Sequence, residues 1–381
     1  MKIDLVGKID SDNASAVESE LMERLGEIDD EELVLDAEKL KYISSAGLRV
    51  ILRVRKTHSD VRIVNVSPEV YEIFDMTGFT QMMTVEKAYR VVSVEGCQVV
   101  GRGANGTIYR IDKDNVVKVY NNADALADIQ HEREVAKLAL VLGIPTAISY
   151  DVVRVGDSYG SVFELLEARS LSQIIATEPD RFDWCVDEYV KMLHTIHDTL
   201  VPEGKLPDMK QTALDWAQFM REYLPQDSAD ALYRLIDAVP HDDHMLHGDF
   251  HTGNLELVRD EVLLIDMDTL CVGHPIFELA SIFDAFVGYG EIDHDVVFRF
   301  MGFEFETGCD FWHSALSRYL DTEDEERLRE VEDKARIIGY TRMIRRSIRR
   351  GGLEDAGRRR EIEYWRAELI ELLGKYDTLL F

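Results

Sequence analysis

Apolar and polar positions in the first part of the chain follow two alternating periods. MKIDLVGKI switches character at nearly every step, which is a strand pattern. Ala14, Val17, Leu21 and Leu25 recur at helical spacing, as on a helix lying against a sheet. Leu33, Val34 and Leu35 predict a short buried strand ending at Asp36. Ser44-Ser45-Ala46-Gly47 then leads into Leu48, Val50, Ile51, Leu52 and Val54, a second helix. Val61 to Val66 forms another strand, and Pro68 opens a helix through Val70, Ile73 and Phe74. This alternation predicts an α/β sandwich over residues 1–88.

The period changes near Tyr89. Residues 89–166 predict a twisted antiparallel sheet with one inserted helix. Tyr89 to Val92 is its lead-in strand, Cys97 to Val100 runs into a glycine-rich segment, Val116 to Val119 is a strand, and His131 to Leu142 is the helix. Residues 167–381 are mainly helical, broken by a loop-like segment from His247 to Pro275 and ending in a helix from Ile362 to Leu373. No internal repeat and no low-complexity linker separates the units.

Composition narrows the function. The net charge of -30 sets a field that repels nucleic acid over most of the surface. No run of 18 or more uncharged apolar residues is present, so no membrane span is expected. The acidic, strand-like N-terminus does not read as a signal peptide. Cys97, Cys185, Cys271 and Cys309 stand far apart and form no CxxC pair, which predicts neither disulfides nor zinc and fits a reducing cytoplasm.

The chemistry is concentrated in three segments. Gly101-Arg102-Gly103-Ala104-Asn105-Gly106-Thr107-Ile108 lies between two strand-like runs, which favours a hairpin folded over nucleotide phosphates with Ile108 covering the base. Lys118 follows in the apolar strand Asn115 to Tyr120; an ammonium there needs a polar target, such as the phosphates and a glutamate of the next helix. Glu134 is the first choice for that glutamate and Glu132 the second. His247-Gly248-Asp249-Phe250-His251-Thr252-Gly253-Asn254 precedes the strand Val262 to Ile265, which ends at Asp266. Phosphoryl transfer needs a carboxylate at the acceptor hydroxyl and hard oxygen ligands for magnesium. Asp249 suits the first role, and Asn254 and Asp266 suit the second. His247 and His251 are expected to brace the loop by hydrogen bonds to backbone or to Asp266.

HGDFHTGNL followed by LLIDMDT resembles the signature of the aminoglycoside phosphotransferase and choline kinase-like superfamily, over about residues 89–350. The resemblance implies a bilobal α+β kinase-like fold, with 89–166 as the N-lobe and 167–381 as the C-lobe. It implies Gly101, Gly103 and Gly106 as the ATP loop, Lys118 as the phosphate-contacting lysine, Asp249 as catalytic aspartate, and Asn254 and Asp266 as Mg2+ ligands, with Asp268 assisting. Phe163, Glu164 and Leu165 resemble the hinge where backbone groups meet adenine. The full Gly-x-Gly-x-x-Gly spacing is more like protein kinases, which leaves a small-molecule or a protein acceptor open.

Asp36-Ala37-Glu38-Lys39-Leu40 and Tyr42-Ile43-Ser44-Ser45-Ala46-Gly47-Leu48-Arg49 resemble the STAS domain of anti-sigma factor antagonists, over nearly all of 1–88. In that family a serine at the helix start is phosphorylated and controls docking, and Ser45 matches it; Ser44 stands where many members have aspartate. The alternative is that both serines only cap the helix. Arg342, Arg345, Arg346, Arg349 and Arg350 share a helical face, followed by Arg358, Arg359 and Arg360. They could hold an acidic acceptor or dock the front domain; the default is pairing with Glu361, Glu363 and nearby carboxylates.

The expected function is Mg2+-dependent transfer of the ATP γ-phosphoryl group to a hydroxyl, with the STAS-like domain regulating or recruiting. The other readings are a signalling adaptor engaging an anti-sigma-factor-like partner, and a protein Ser/Thr kinase controlled through Ser45. A nucleotide-binding pseudokinase is disfavoured because Lys118, Asp249, Asn254 and Asp266 are all present.

Overall fold

The computed structural model describes residues 2–25, 33–58, 60–103, 106–122 and 125–381. The front unit runs β1 (Lys2–Ile9), α1 (Ala14–Leu25), β2 (Leu33–Ile43), α2 (Ser45–Thr57), β3 (Val61–Val66), α3 (Pro68–Met76), α4 (Phe79–Met82) and β4 (Thr84–Lys87). Its four strands pair in the order β1-β2-β3-β4, all parallel. β2 does not stop at Asp36 as expected. Ala37, Leu40 and Ile43 are also buried, and β1 pairs with β2 as far as Ile43 through two register shifts. Asp36 is buried at the middle of this longer strand; burial works against its charge, but Lys2, the Glu38 N–H and Asn65 hold its carboxyl below the usual range. At Gly47 a Cβ would lie 2.7 Å from Ile43 and 2.8 Å from Ile9, so glycine lets α2 sit tightly on the sheet.

The next unit contains β5 (Arg90–Val91), β6 (Gln98–Arg102), β7 (Gly106–Arg110), β8 (Asn115–Tyr120), α5 (Leu126–Val141), β9 (Asp151–Val155) and β10 (Ser158–Glu164). Six strands pair in the order β5-β9-β10-β8-β7-β6. The sheet is antiparallel except for the short edge pair β5–β9, which is parallel. α5 starts at Leu126, before the expected His131, because Ile129 continues its buried face. Val135, Ala136, Ala139 and Ile144 join the core of the unit that follows, which locks α5 onto it.

That last unit is mostly helical: β11 (Ala168–Ser170), α6 (Leu171–Thr177), α7 (Phe182–His197), α8 (Met209–Met220), α9 (Gln226–Asp237), β12 (Met245–Leu246), β13 (Leu255–Val258), β14 (Glu261–Leu264), β15 (Cys271–Val272), α10 (Ile276–Phe286), α11 (Asp295–Met301), α12 (Phe305–Tyr319), α13 (Glu325–Arg349) and α14 (Ala356–Lys375). The segment expected as a loop folds as the hairpin β13–β14, flanked by the short pair β12–β15. The Leu264 N–H donates to the Pro145 carbonyl at 2.8 Å, which ties β14 to the chain leaving α5. Among the described residues no helix is long and apolar enough to cross a membrane.

Candidate active site

The two lobes meet at a cleft of about 470 Å³. Gly101, Gly103 and Gly106 line its roof, on the hairpin β6–β7. Ala104 and Asn105 lie outside the described residues. Gly106 is required where it stands: a Cβ would fall 2.4 Å from the Val119 carbonyl oxygen on β8. Ile108, Val116, Ala136 and Met267 supply apolar walls. Of the expected hinge residues, Phe163 lines the cleft. Glu164 ends β10 with its side chain exposed, and the Leu165 N–H is donated to the Asp114 carbonyl at 2.7 Å, so it is not free for a base. Ser149, also in the lining, is buried and its hydroxyl has no partner, so it offers a polar contact that the sequence did not reveal.

Lys118 on β8 points into the cleft. Its Nζ lies 2.9 Å and 3.1 Å from the two carboxylate oxygens of Glu132 and 3.7 Å from Asp266 Oδ1. The expected partner Glu134 is therefore corrected to Glu132. Two residues along a helix turn it by about 200°, and Glu134 is exposed on the far side of α5. Burial disfavours the Lys118 charge, but Glu132 and Asp266 outweigh it and hold the pKa above its usual value. The Tyr120 hydroxyl donates to Glu132 at 2.6 Å, so the glutamate is fixed from two directions.

The loop between β12 and β13 carries Asp249, His251 and Asn254. The Asn254 side-chain N–H donates to the Asp249 carbonyl at 3.0 Å, and the Ile265 N–H donates to the Asn254 carbonyl at 2.9 Å. These two bonds draw Asp249, Asn254 and Asp266 together. Asp266 adopts a left-handed backbone, φ 63° and ψ 59°, which costs a non-glycine residue about 1 kcal/mol or more and turns the chain sharply after β14. Gly248, at φ 82°, leaves no space for a Cβ, which would fall 2.6 Å from the Thr269 carbonyl oxygen.

His247 braces the loop through backbone rather than through Asp266. Its Nδ1 accepts the Asp249 N–H at 3.3 Å, so Nε2 carries the proton and donates to the Ile265 carbonyl at 3.2 Å. His251 Nδ1 accepts the Gly253 N–H at 3.1 Å, and its Nε2 stands 3.8 Å from Asp249 Oδ2. Burial pushes the His251 pKa down to about 4, which keeps it neutral. Burial, with Asp266 and Glu132 nearby, pushes Asp268 up to about 6, and Asp268 does not line the cleft. One anchor was missed in the sequence. Glu278 on α10, fully buried, accepts the N–H groups of His247 and Gly248, the latter at 3.0 Å. Its signal was an acid inside the apolar run IFELASIF.

In the front unit, Ser44 rather than Ser45 caps α2, accepting from Ala46 N at 3.2 Å. Ser45 is the first residue of the helix and is exposed. On α13, the expected pairing of the arginines with Glu361 and Glu363 is not formed: within 4.0 Å and among the described residues, only Arg342 of that face meets a carboxylate, Asp284.

Family models match both parts of the chain. Residues 96–331 match the phosphotransferase enzyme family, and residues 1–92 match the STAS domain. A Bordetella bronchiseptica protein named "Putative anti-sigma factor antagonist BtrV" is 36% identical over 85 residues, covering 21% of this chain and 72% of that protein. The ADP-bound aminoglycoside phosphotransferase APH(2'')-Ib aligns with a TM-score of 0.49 at 13% identity, over 79% of this chain and 98% of that one. A thermostable mutant of aminoglycoside phosphotransferase APH(4)-Ia, in apo form, aligns at 0.48 and 12%, over 73% and 94%. The chain belongs to the phosphotransferase enzyme family, as an enzyme of bilobal kinase-like fold carried behind a STAS domain.

Proposed function

We propose that the chain transfers the γ-phosphoryl group of ATP to the hydroxyl of a small molecule, with magnesium. The observation that carries this reading is the approach of Lys118 to within 3.7 Å of Asp266, in a cleft that Asn254 also lines and beside the loop holding Asp249. Asp249 accepts the proton of the acceptor hydroxyl. Lys118, oriented by Glu132, offsets phosphate charge, and the glycine hairpin covers the phosphates. The apolar walls Ile108, Val116, Ala136 and Met267 suit a purine, with the Ser149 hydroxyl at its edge.

The donor set fits magnesium. Asn254 uses its side-chain N–H on the Asp249 carbonyl, which leaves its amide oxygen, and Asp266 adds a carboxylate; both are hard oxygen donors. When bound there, magnesium supplies charge neutralisation at phosphate oxygens. The test is ADP release by the full chain with ATP and MgCl2 against a panel of alcohols. Acceptors should stimulate release, and D249N should reduce the stimulated rate by about a hundredfold or more while retaining nucleotide binding. A folded D249N protein with undiminished stimulation removes Asp249 from the mechanism.

The front domain supports a regulatory role. Ser45 is exposed at the start of the 13-residue helix α2, where backbone N–H groups favour an added phosphate. In this reading, charge on Ser45 governs an anti-sigma-factor-like partner or the catalytic unit itself. S45D should change the stimulated rate of ADP release or the affinity for such a partner; identity with wild type in both counts against it.

A further inference from the structure

We infer that α10 and α13 build an anion-binding subsite beside Asp249, and that the acceptor is a small hydroxyl compound bearing a carboxylate or phosphate group. This rests on reading Asp249 as the base of a phosphotransferase.

Arg342 fixes the position of the subsite. Its Nη2 donates to the carbonyl of Gly248, the residue before Asp249, at 3.2 Å. One helical turn further on, Arg346 is exposed and meets no carboxylate within 4.0 Å among the described residues. The chain holds 73 acidic against 43 basic residues, yet Arg345, Arg346, Arg349 and Arg350 all lack a carboxylate within 4.0 Å among the described residues; Arg346 is singled out by its nearness to Asp284 and Tyr289. Intramolecular pairing does not explain it.

Between these helices lie polar groups that the protein leaves unsatisfied. Asp284 on α10 is 3% exposed, and neither carboxylate oxygen has a hydrogen-bond partner; Arg342 Nη1 stands 4.0 Å away. The Tyr289 hydroxyl is buried and forms no hydrogen bond within 3.5 Å; the Arg346 guanidinium faces it in a longer, weaker contact, with Arg342 also near. Gly339 gives the Asp284 carboxyl its room against α13, since a Cβ there would fall 2.4 Å from Asp284 Oδ1. Buried polar groups without partners are costly, and a ligand that completes them recovers that cost.

The sign of the ligand follows from the donors. Two guanidinium groups face one carboxyl, and burial pushes that carboxyl up to about 7, so half or more of it is protonated below neutral pH. Arginine N–H groups, a phenol O–H and a protonated carboxyl are all donors, and an anionic oxygen accepts from each. None of Arg342, Arg346, Asp284 and Tyr289 lines the cleft of Lys118, so the subsite is separate from the nucleotide position. Phe300 is 56% exposed with its ring 4.7 Å from that of His251, whose Nε2 stands 3.8 Å from Asp249, which gives the rest of the acceptor an apolar wall.

The test compares alcohols that share a skeleton: glycerol, glycerate, glycerol 3-phosphate and serinol, with phenyllactate against phenylalaninol. ADP release by the full chain is measured with ATP and MgCl2. The anionic members should stimulate, and the stronger of the carboxylate and phosphate arms identifies the anion. R346Q should raise the acceptor KM about tenfold, the loss of one charge-assisted contact, with a smaller change in kcat. R346K should recover part of the loss, and R360Q on α14 should match wild type. Stimulation by the neutral or amino members alone, or an unchanged acceptor KM in R346Q, overturns the proposal.

If no compound stimulates, titration calorimetry with sodium sulfate decides, with a nonhydrolysable ATP analogue filling the nucleotide site. Sulfate binding that weakens at least fivefold in R346Q supports the subsite; no binding, or equal binding, overturns it. A chain that binds no ATP would instead remove the phosphotransferase reading, and the sulfate titration without nucleotide would still report on the arginines.

Discussion

Replacing Glu132 with glutamine removes the charge that holds Lys118. The two side chains are 15% and 17% exposed and share contacts of 2.9 Å and 3.1 Å, while Tyr120 adds a third at 2.6 Å. Deleting one partner of a fully buried pair costs about 3–5 kcal/mol. Here the penalty is smaller, because the pair is not fully buried, Asp266 remains 3.7 Å away and glutamine keeps one acceptor oxygen. A loss of about 2 kcal/mol follows, or a fall of roughly 3 °C in the melting of the catalytic unit. The freed ammonium also shifts toward Asp266, so the KM for ATP should rise about tenfold. E134Q is the control: it is exposed and should stay within about 0.5 kcal/mol of wild type. Scanning calorimetry and ADP-release kinetics measure both. Equal losses in E132Q and E134Q, or none in either, would refute the assignment.

Three further substitutions address the loop that carries Asp249. G248A forces a Cβ against the Thr269 carbonyl oxygen at a positive φ, so stability should drop by about 2 kcal/mol and stimulated ADP release at least tenfold; wild-type behaviour would mean the turn is not needed. E278Q turns an NH2 toward one of two backbone N–H groups, and an unsatisfied buried donor should cost about 1–3 kcal/mol with a larger loss in kcat than in KM; an effect on KM alone would count against loop positioning. H251N keeps an acceptor for the Gly253 N–H but cannot titrate. The folded His251 pKa, about 4, lies below its unfolded value, so its contribution is present above pH 6.5 and is lost as pH falls toward 4. Thermal melts should therefore show wild type losing more stability than H251N across that window; parallel curves would refute the burial argument.

The sequence displayed most of the fold because each unit buries one periodic face. The front sandwich was readable from Ile3, Leu5, Leu33, Leu35 and Ile63, all now in one core. β2 outran its expected end because a register shift carries the charged stretch past β1, and no period announces a shift. The choice between Glu132 and Glu134 depended on helix phase. Ile129, Ala136 and Ala139 define the buried face, and Glu132 sits on it, three residues after Ile129. That signal was in the sequence once the helix was known to begin at Leu126. Glu278 and Asp284 were harder. Each is an acid inside an apolar helix, but what they face, the loop amides that Glu278 holds and Arg342 at 4.0 Å from Asp284, is distant in the chain. The Leu165 N–H was lost to Asp114, a contact across the sheet that no local pattern encodes.

A crystal structure of the full chain with magnesium and a nonhydrolysable ATP analogue bears most directly on convergence at the cleft. The account expects the triphosphate between Lys118 and the pair Asn254 and Asp266, with the γ-phosphate turned toward the Asp249 carboxylate. A nucleotide bound elsewhere, or with its γ-phosphate turned away from Asp249, would contradict it.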